Sequence, residues 1–149
     1  GMTLMLATDL RVTADHATFA LSEVKRGIIP ANGGTQRLPA QLPHAIAMEL
    51  LLIGDSIDAQ TAARWGLVNR VVPADQVMAT AIELARRVAA NAPLAVQAIK
   101  ELALRGQQVD LTAGLRFEQL VQNILQRTED AAEGRLAFAE KRSPRFTGN

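Results

Sequence analysis

From residue 44 onward, glycine and proline fall at helix-length intervals, and that spacing narrows the possible folds more than any other feature of the chain. Gly54, Gly66, Pro73, Pro93 and Gly106 each stand where an element has to stop or start. Glycine frees the backbone at a helix C-terminus, and proline cannot continue a hydrogen-bonded turn but opens one readily. The intervals predict a helix over 44–53, then a second capped by Ser56 with Asp58 in its first turn, ending at Gly66. A strand over 67–72 follows, closed by Pro73. Asp75 reads as the cap of a long helix to about Ala90, and Pro93 as the first residue of the next. In the last third, Phe117, Leu120, Val121, Ile124 and Leu125 form an apolar stripe suited to core or subunit packing. Thr128 caps a final helix, with Glu129 and Asp130 favourably placed against its dipole.

The N-terminal part reads differently. Residues 2–8 suggest a short apolar helix, 9–13 a strand, and 14–17 a turn leading into a second strand, Phe19-Ala20-Leu21-Ser22-Glu23-Val24. Residues 27–35, rich in turn formers, make a loop. A few strands followed by helices define an α/β class, with the core over 1–73 and a helical region over 74–149. Aromatic residues make up only 3%, so packing has to rest on Leu, Ile, Val, Ala and Met.

Several function classes are disfavoured by composition. The net charge is +1 and the basic residues are scattered among acids, which argues against a nucleic-acid surface. Cysteine is absent, so neither disulfides nor thiolate zinc sites exist, and a reducing, cytoplasmic setting is expected. His16 and His44 are far apart and show no ligand spacing, so no metal is expected. No apolar run has the length of a membrane span, and no signal-peptide pattern occurs. The Gly1-Met2 start reads either as a protease scar before a natural methionine or as part of a longer chain cut here.

Glu23 is the candidate catalytic residue. A period of two places Phe19, Leu21 and Glu23 on one side of their strand. A carboxylate on an apolar face loses hydration, which poises it for proton transfer near neutral pH. The alternative is a strand that frays at Ser22, leaving Glu23 to pair with Lys25 or Arg26 in solvent.

Three stretches resemble the crotonase superfamily, the enoyl-CoA hydratases and isomerases. They are Asp9-Leu10-Arg11-Val12 with Phe19–Val24, the run Gly27-Ile28-Ile29-Pro30-Ala31-Asn32-Gly33-Gly34-Thr35-Gln36-Arg37-Leu38-Pro39, and Glu129–Arg142 with Pro144-Arg145-Phe146. Residues 66–73 and 91–95 also fit. The resemblance implies a crotonase-like α/β spiral of strand-strand-helix units with a helical trimerisation region, of which this chain is the C-terminal half. It further implies an acyl-CoA substrate with CoA as part of it, no other cofactor, a place in fatty acid metabolism, and a homo-oligomer, either a trimer or a dimer of trimers. The thioester enolate would be held by two backbone N–H groups, both lying before Gly1. Glu23 matches the second of two glutamates that hydratases use, and Thr3 stands at the position of the first. A hydroxyl cannot act as a carboxylate base near neutral pH, so one-acid double-bond isomerisation is favoured over hydration. Gly33 and Gly34 would shape the substrate pocket, unless they are only a tight turn before a helix. Lys141, with Arg142, resembles a basic site that reaches CoA phosphates in some relatives; the alternative is a solvated helix end. A second reading of the whole chain is a catalytically silent module that oligomerises.

Overall fold

Four leucines from four separate segments, Leu6, Leu21, Leu38 and Leu67, are each no more than 1% exposed and anchor the first of two units. The computed structural model describes residues 1–149 and divides into Gly1–Ile82 and Glu83–Asn149. In the first unit, α1 (Met2–Met5) leads to β1 (Val12–Ala14), β2 (Thr18–Phe19) and a 3-10 turn over Ser22–Arg26. Then come α2 (Gly34–Gln41), α3 (His44–Leu52), β3 (Ile57–Asp58), α4 (Ala59–Arg64), β4 (Arg70–Val72) and a 3-10 turn over Ala74–Gln76. The remaining helices are α5 (Val77–Ala89), which runs through the division, α6 (Pro93–Gly106), α7 (Leu111–Leu125) and α8 (Glu129–Glu140).

The sheets are minimal. β1 pairs with β4 in parallel, Val12 opposite Arg70, and β2 pairs with β3 antiparallel, Phe19 opposite Ile57. A parallel pair needs a long crossover, and α2, α3 and α4 supply it. Met2, Leu6, Leu21, Leu38, Leu42, Ala47, Leu50, Ala62, Leu67 and Val68 form the core beneath, with Phe19 and Trp65 packed against its margin. Each fully buried leucine contributes about 2 kcal/mol.

Several local expectations are corrected. The strand over 9–13 is shortened to Val12–Ala14, because the Arg11 side chain is drawn back onto the exit of α1. Phe19–Val24 is not one strand: after Phe19 the backbone turns inward to bury Leu21 and then winds into the 22–26 turn. Ser56 does not cap α4. Asp58 does, its carboxylate accepting from Thr61 N at 2.7 Å, while Ile57 and Asp58 first pair with β2. Asp75 caps nothing; the chain enters α5 through the 74–76 turn, whose N-cap is Pro73 without a side-chain bond. The strand over 67–72 contracts to Arg70–Val72 because Leu67 N still donates to Ala62 O at 2.8 Å, closing α4, and Leu67 O is taken by Arg11. The α3, α6 and α8 expectations agree with the structure to within a residue or two at their ends, Thr128 accepting from Ala131 N at 3.1 Å as the cap of α8.

One guanidinium ties the first unit together. Arg11 donates to Leu67 O at 3.0 Å, to Thr8 O at 2.8 Å and to the Gln41 side-chain oxygen at 2.7 Å. Gln41 in turn donates to Leu6 O at 2.9 Å, and Asn69 takes the Arg11 backbone N–H at 2.8 Å. Burial lowers the Arg11 pKa, and nearby Asp9 partly offsets this.

In the second unit, α6 and α7 pack as a helical pair, yet no residue of α5, α6 or α7 is fully buried. Order comes largely from the C-terminal tail. Thr147 N and Gly148 N donate to the buried Asp130 carboxylate at 2.7 and 2.9 Å, and Asp130 N donates to Asn149 O at 3.2 Å. Replacing Arg11 by methionine keeps the stem and strands two carbonyls and Gln41; we expect a loss of about 2 kcal/mol in denaturant unfolding.

Candidate active site

Glu23 lies one residue into the 22–26 turn, whose floor is the core residue Leu21. The turn closes at Gly27, which takes the left-handed conformation at φ +72° and lets Ile28 N reach the Glu23 carbonyl at 3.3 Å. Lys25 in the same turn pairs with Asp55, so one of the two solvent-side partners weighed for Glu23 is engaged elsewhere. Glu23 itself is partly buried, and its Oε2 is enclosed without any hydrogen-bond partner. An enclosed carboxylate oxygen without a donor is costly, and this distinguishes Glu23 from the paired acids of the chain.

Thr3 and Gly34 are brought together. A Cβ on Gly34 would fall 3.2 Å from the Thr3 methyl and 2.9 Å from Pro30 Cβ, so only glycine lets α2 start this close to α1. Gly33 takes φ +94° as the N-cap of α2, and Arg37 folds back over it to donate to Asn32 O at 2.9 Å. The end of the exposed Arg37 side chain thus lies over the half-buried Gly33. Beside these, Gly1, Met2, Met5, Thr18, Phe19 and Ala20 line a cavity of about 290 Å³ between α1 and β2. Ala20 stands three residues before Glu23. α1 has only four residues, so its dipole is small.

Lys141 belongs to the second unit. It ends α8 in the left-handed conformation at φ +55°, with its side chain exposed. A non-glycine residue there costs about 1 kcal/mol. Arg142 is not free to bind phosphate. It grips Glu133 with both terminal nitrogens at 2.6 and 2.9 Å and Glu140 through Nε at 2.6 Å. Of the two basic residues, Lys141 alone remains available.

The sequence profile of enoyl-CoA hydratase/isomerase matches residues 1–149. The chain belongs to this family. It is 44% identical to carnitinyl-CoA dehydratase of Proteus mirabilis, over 99% of this chain and 58% of the relative. It is 41% identical to (E)-benzylidenesuccinyl-CoA hydratase of Thauera aromatica, again over 99% of this chain and 58% of the relative. The crystal structure of enoyl-CoA hydratase from Bacillus anthracis superposes with a TM-score of 0.96 at 43% identity, covering all of this chain and 58% of that one. The family resemblance and the crotonase-like α/β fold are thereby established, and the chain spans a little under three fifths of the length of these relatives.

The sequence reading of this family member missed Gly54. It was legible only as a helix stop, yet it packs against the turn that carries Glu23. Also missed was Glu133, whose carboxyl the Arg142 guanidinium, helped by Arg145 N, holds at about 2 instead of the ordinary 4.5. The tail thus prefers ionised Glu133. This stabilisation is complete above the ordinary value and is lost as the pH falls through about 2. Glu133→Gln should abolish that dependence. Amide exchange at Arg145, compared between the two proteins, should differ at neutral pH and converge near pH 2.

Proposed function

We propose that this chain carries the acid–base residue of an enzyme acting on an acyl-CoA thioester through an oxyanion-stabilised enolate, with Glu23 moving the proton. The observation that carries this reading is the enclosed, unpartnered Glu23 Oε2. An oxygen without a protein donor is left for a substrate proton. Proton transfer of this kind needs no metal or redox group, and CoA enters only as part of the substrate. Glu23→Gln is expected to lower turnover about 1,000-fold on an enoyl-CoA panel assayed in the full-length protein. Retention of full turnover would remove Glu23 from the chemistry.

Thr3 brings a hydroxyl and a methyl, and the methyl is packed toward Gly34. With a single carboxylate, removal of an α-proton and its return to another carbon is favoured over activation of water by a glutamate pair. This supports double-bond isomerisation, while the names of the relatives point to gain or loss of water. Supplying a 3-enoyl-CoA separates the two: we expect conjugated 2-enoyl-CoA without 3-hydroxyacyl-CoA. Accumulation of the hydroxyacyl product would assign hydration instead. Within the first unit, Thr3, Gly33 and Gly34 would line the acyl side; Lys141, in the second unit, is a separate candidate contact for a CoA phosphate.

The helical region supports self-association, as does the reading of the chain as an assembly module. Leu111, Leu115, Phe117, Leu120 and Ile124 of α7 are all 50–77% exposed, and Phe138 of α8 is 87% exposed. Apolar exposure on this scale is a feature of interfaces, and a homo-oligomer, a trimer or dimer of trimers, would cover it. No helix is long and apolar enough to cross a membrane. Leu120→Glu with Ile124→Glu should reduce the sedimenting species to monomer; a stable monomer of the unsubstituted protein at micromolar concentration would overturn the assembly.

A further inference from the structure

We propose that Gly54 is a positioning residue for Glu23, a role that rests on the acid–base reading above. Glu23 Oε2 has no hydrogen-bond partner, so no donor aims the carboxylate. Its placement is inherited from the backbone of the 22–26 turn. That turn is seated directly on Gly54, just after α3. A Cβ there would fall 2.9 Å from Val24 Cγ1, 3.1 Å from Leu21 O and 3.3 Å from Ser22 Cα. These three residues surround Glu23 in the chain, and two of the contacts are backbone atoms that cannot rotate away. Leu21, 1% exposed in the core, prevents the turn from retreating inward. Asp55, the next residue after Gly54, pairs with Lys25 and holds the same turn from the solvent side. The turn can therefore accept a larger residue at 54 only by moving, and Glu23 moves with it.

Gly66 provides the control. Its φ of +79° is close to the +71° of Gly54, but a Cβ at Gly66 meets nothing within 4 Å. Alanine at either position suffers similar backbone strain, and only at 54 does it collide. The two variants are compared in the full-length enzyme with the enoyl-CoA panel as probe. Gly54→Ala should lose about 30- to 100-fold in kcat with KM within about twofold, as expected for a displaced catalytic group. Gly66→Ala should keep kcat while showing a similar fall in thermal midpoint. In a Glu23→Gln background, Gly54→Ala should cost nothing further in kcat, because the group it displaces is gone.

Equal kcat in Gly54→Ala and Gly66→Ala overturns the proposal, as does a full further loss in the Glu23→Gln background. Should Gly54→Ala not accumulate as folded protein, Gly54→Ala with Val24→Ala removes the nearest collision and is judged by the same comparison. Failure of the acid–base reading looks different, since Glu23→Gln alone would then retain turnover whatever happens at Gly54.

Discussion

The first unit depends on the Arg11 side chain more than on its sheets. Two strands of three residues in parallel offer few ladder bonds, and the ends of short helices leave carbonyls without partners. Arg11 answers both needs at once. Its guanidinium takes the Thr8 carbonyl where α1 runs out and the Leu67 carbonyl between α4 and β4, and it meets Gln41 at the end of α2. Three elements that meet mainly through apolar contacts in the core are thereby given a fixed polar junction, to which Gln41 adds its bond to Leu6 O. Because the donors of arginine form a rigid fork, the junction also sets an angle. A lysine could supply the charge but not that geometry.

From this junction the chain can afford a poorly satisfied site. Leu21 and Leu38 secure the segments on either side of the 22–34 region, so the turn and loop between them need little stability of their own. The turn places Glu23 at the margin of the apolar interior, where a carboxylate is partly dehydrated yet not sealed in. A strand would have fixed the acid by ladder bonds and committed its neighbours to a face. A 3-10 turn leaves the acid on a compact projection whose position is decided by what lies beneath it. Here that is a glycine with no side chain.

The second unit is organised on the opposite principle. Its helices bury almost nothing, and its tail is held by charge and backbone hydrogen bonds. Glu133 and Arg142 form a bidentate pair, which is stronger and more directional than a simple ion pair. The same pair removes Arg142 from any role in ligand binding and leaves Lys141 exposed in an unusual backbone conformation. Large apolar side chains remain uncovered along α7, the reverse of what a self-sufficient helical domain shows.

Much of this was legible from residue order alone. The extents of α3, α6 and α8 followed from glycine, proline and threonine, since capping and breaking are local effects decided within a few residues. The family followed from several motifs in register, and Glu23 stood out as an acid among apolar neighbours. The enclosure of Glu23 does not come from alternation along a strand, because burying Leu21 turned the chain before Glu23 was reached. Ser56 and Asp75 show the same limit: either could cap a helix, but pairing of Ile57 with Phe19 and the 74–76 turn moved the boundaries. Residue order by itself determined the family of this chain and the approximate course of several of its helices. Only the tertiary structure decided that Arg11 is a clasp, that Arg142 is spent on Glu133, and that Gly54 lies under the turn that carries Glu23. Each of those rests on contacts between residues distant in the chain or on a backbone approach too close for a side chain, and neither leaves a mark in local sequence.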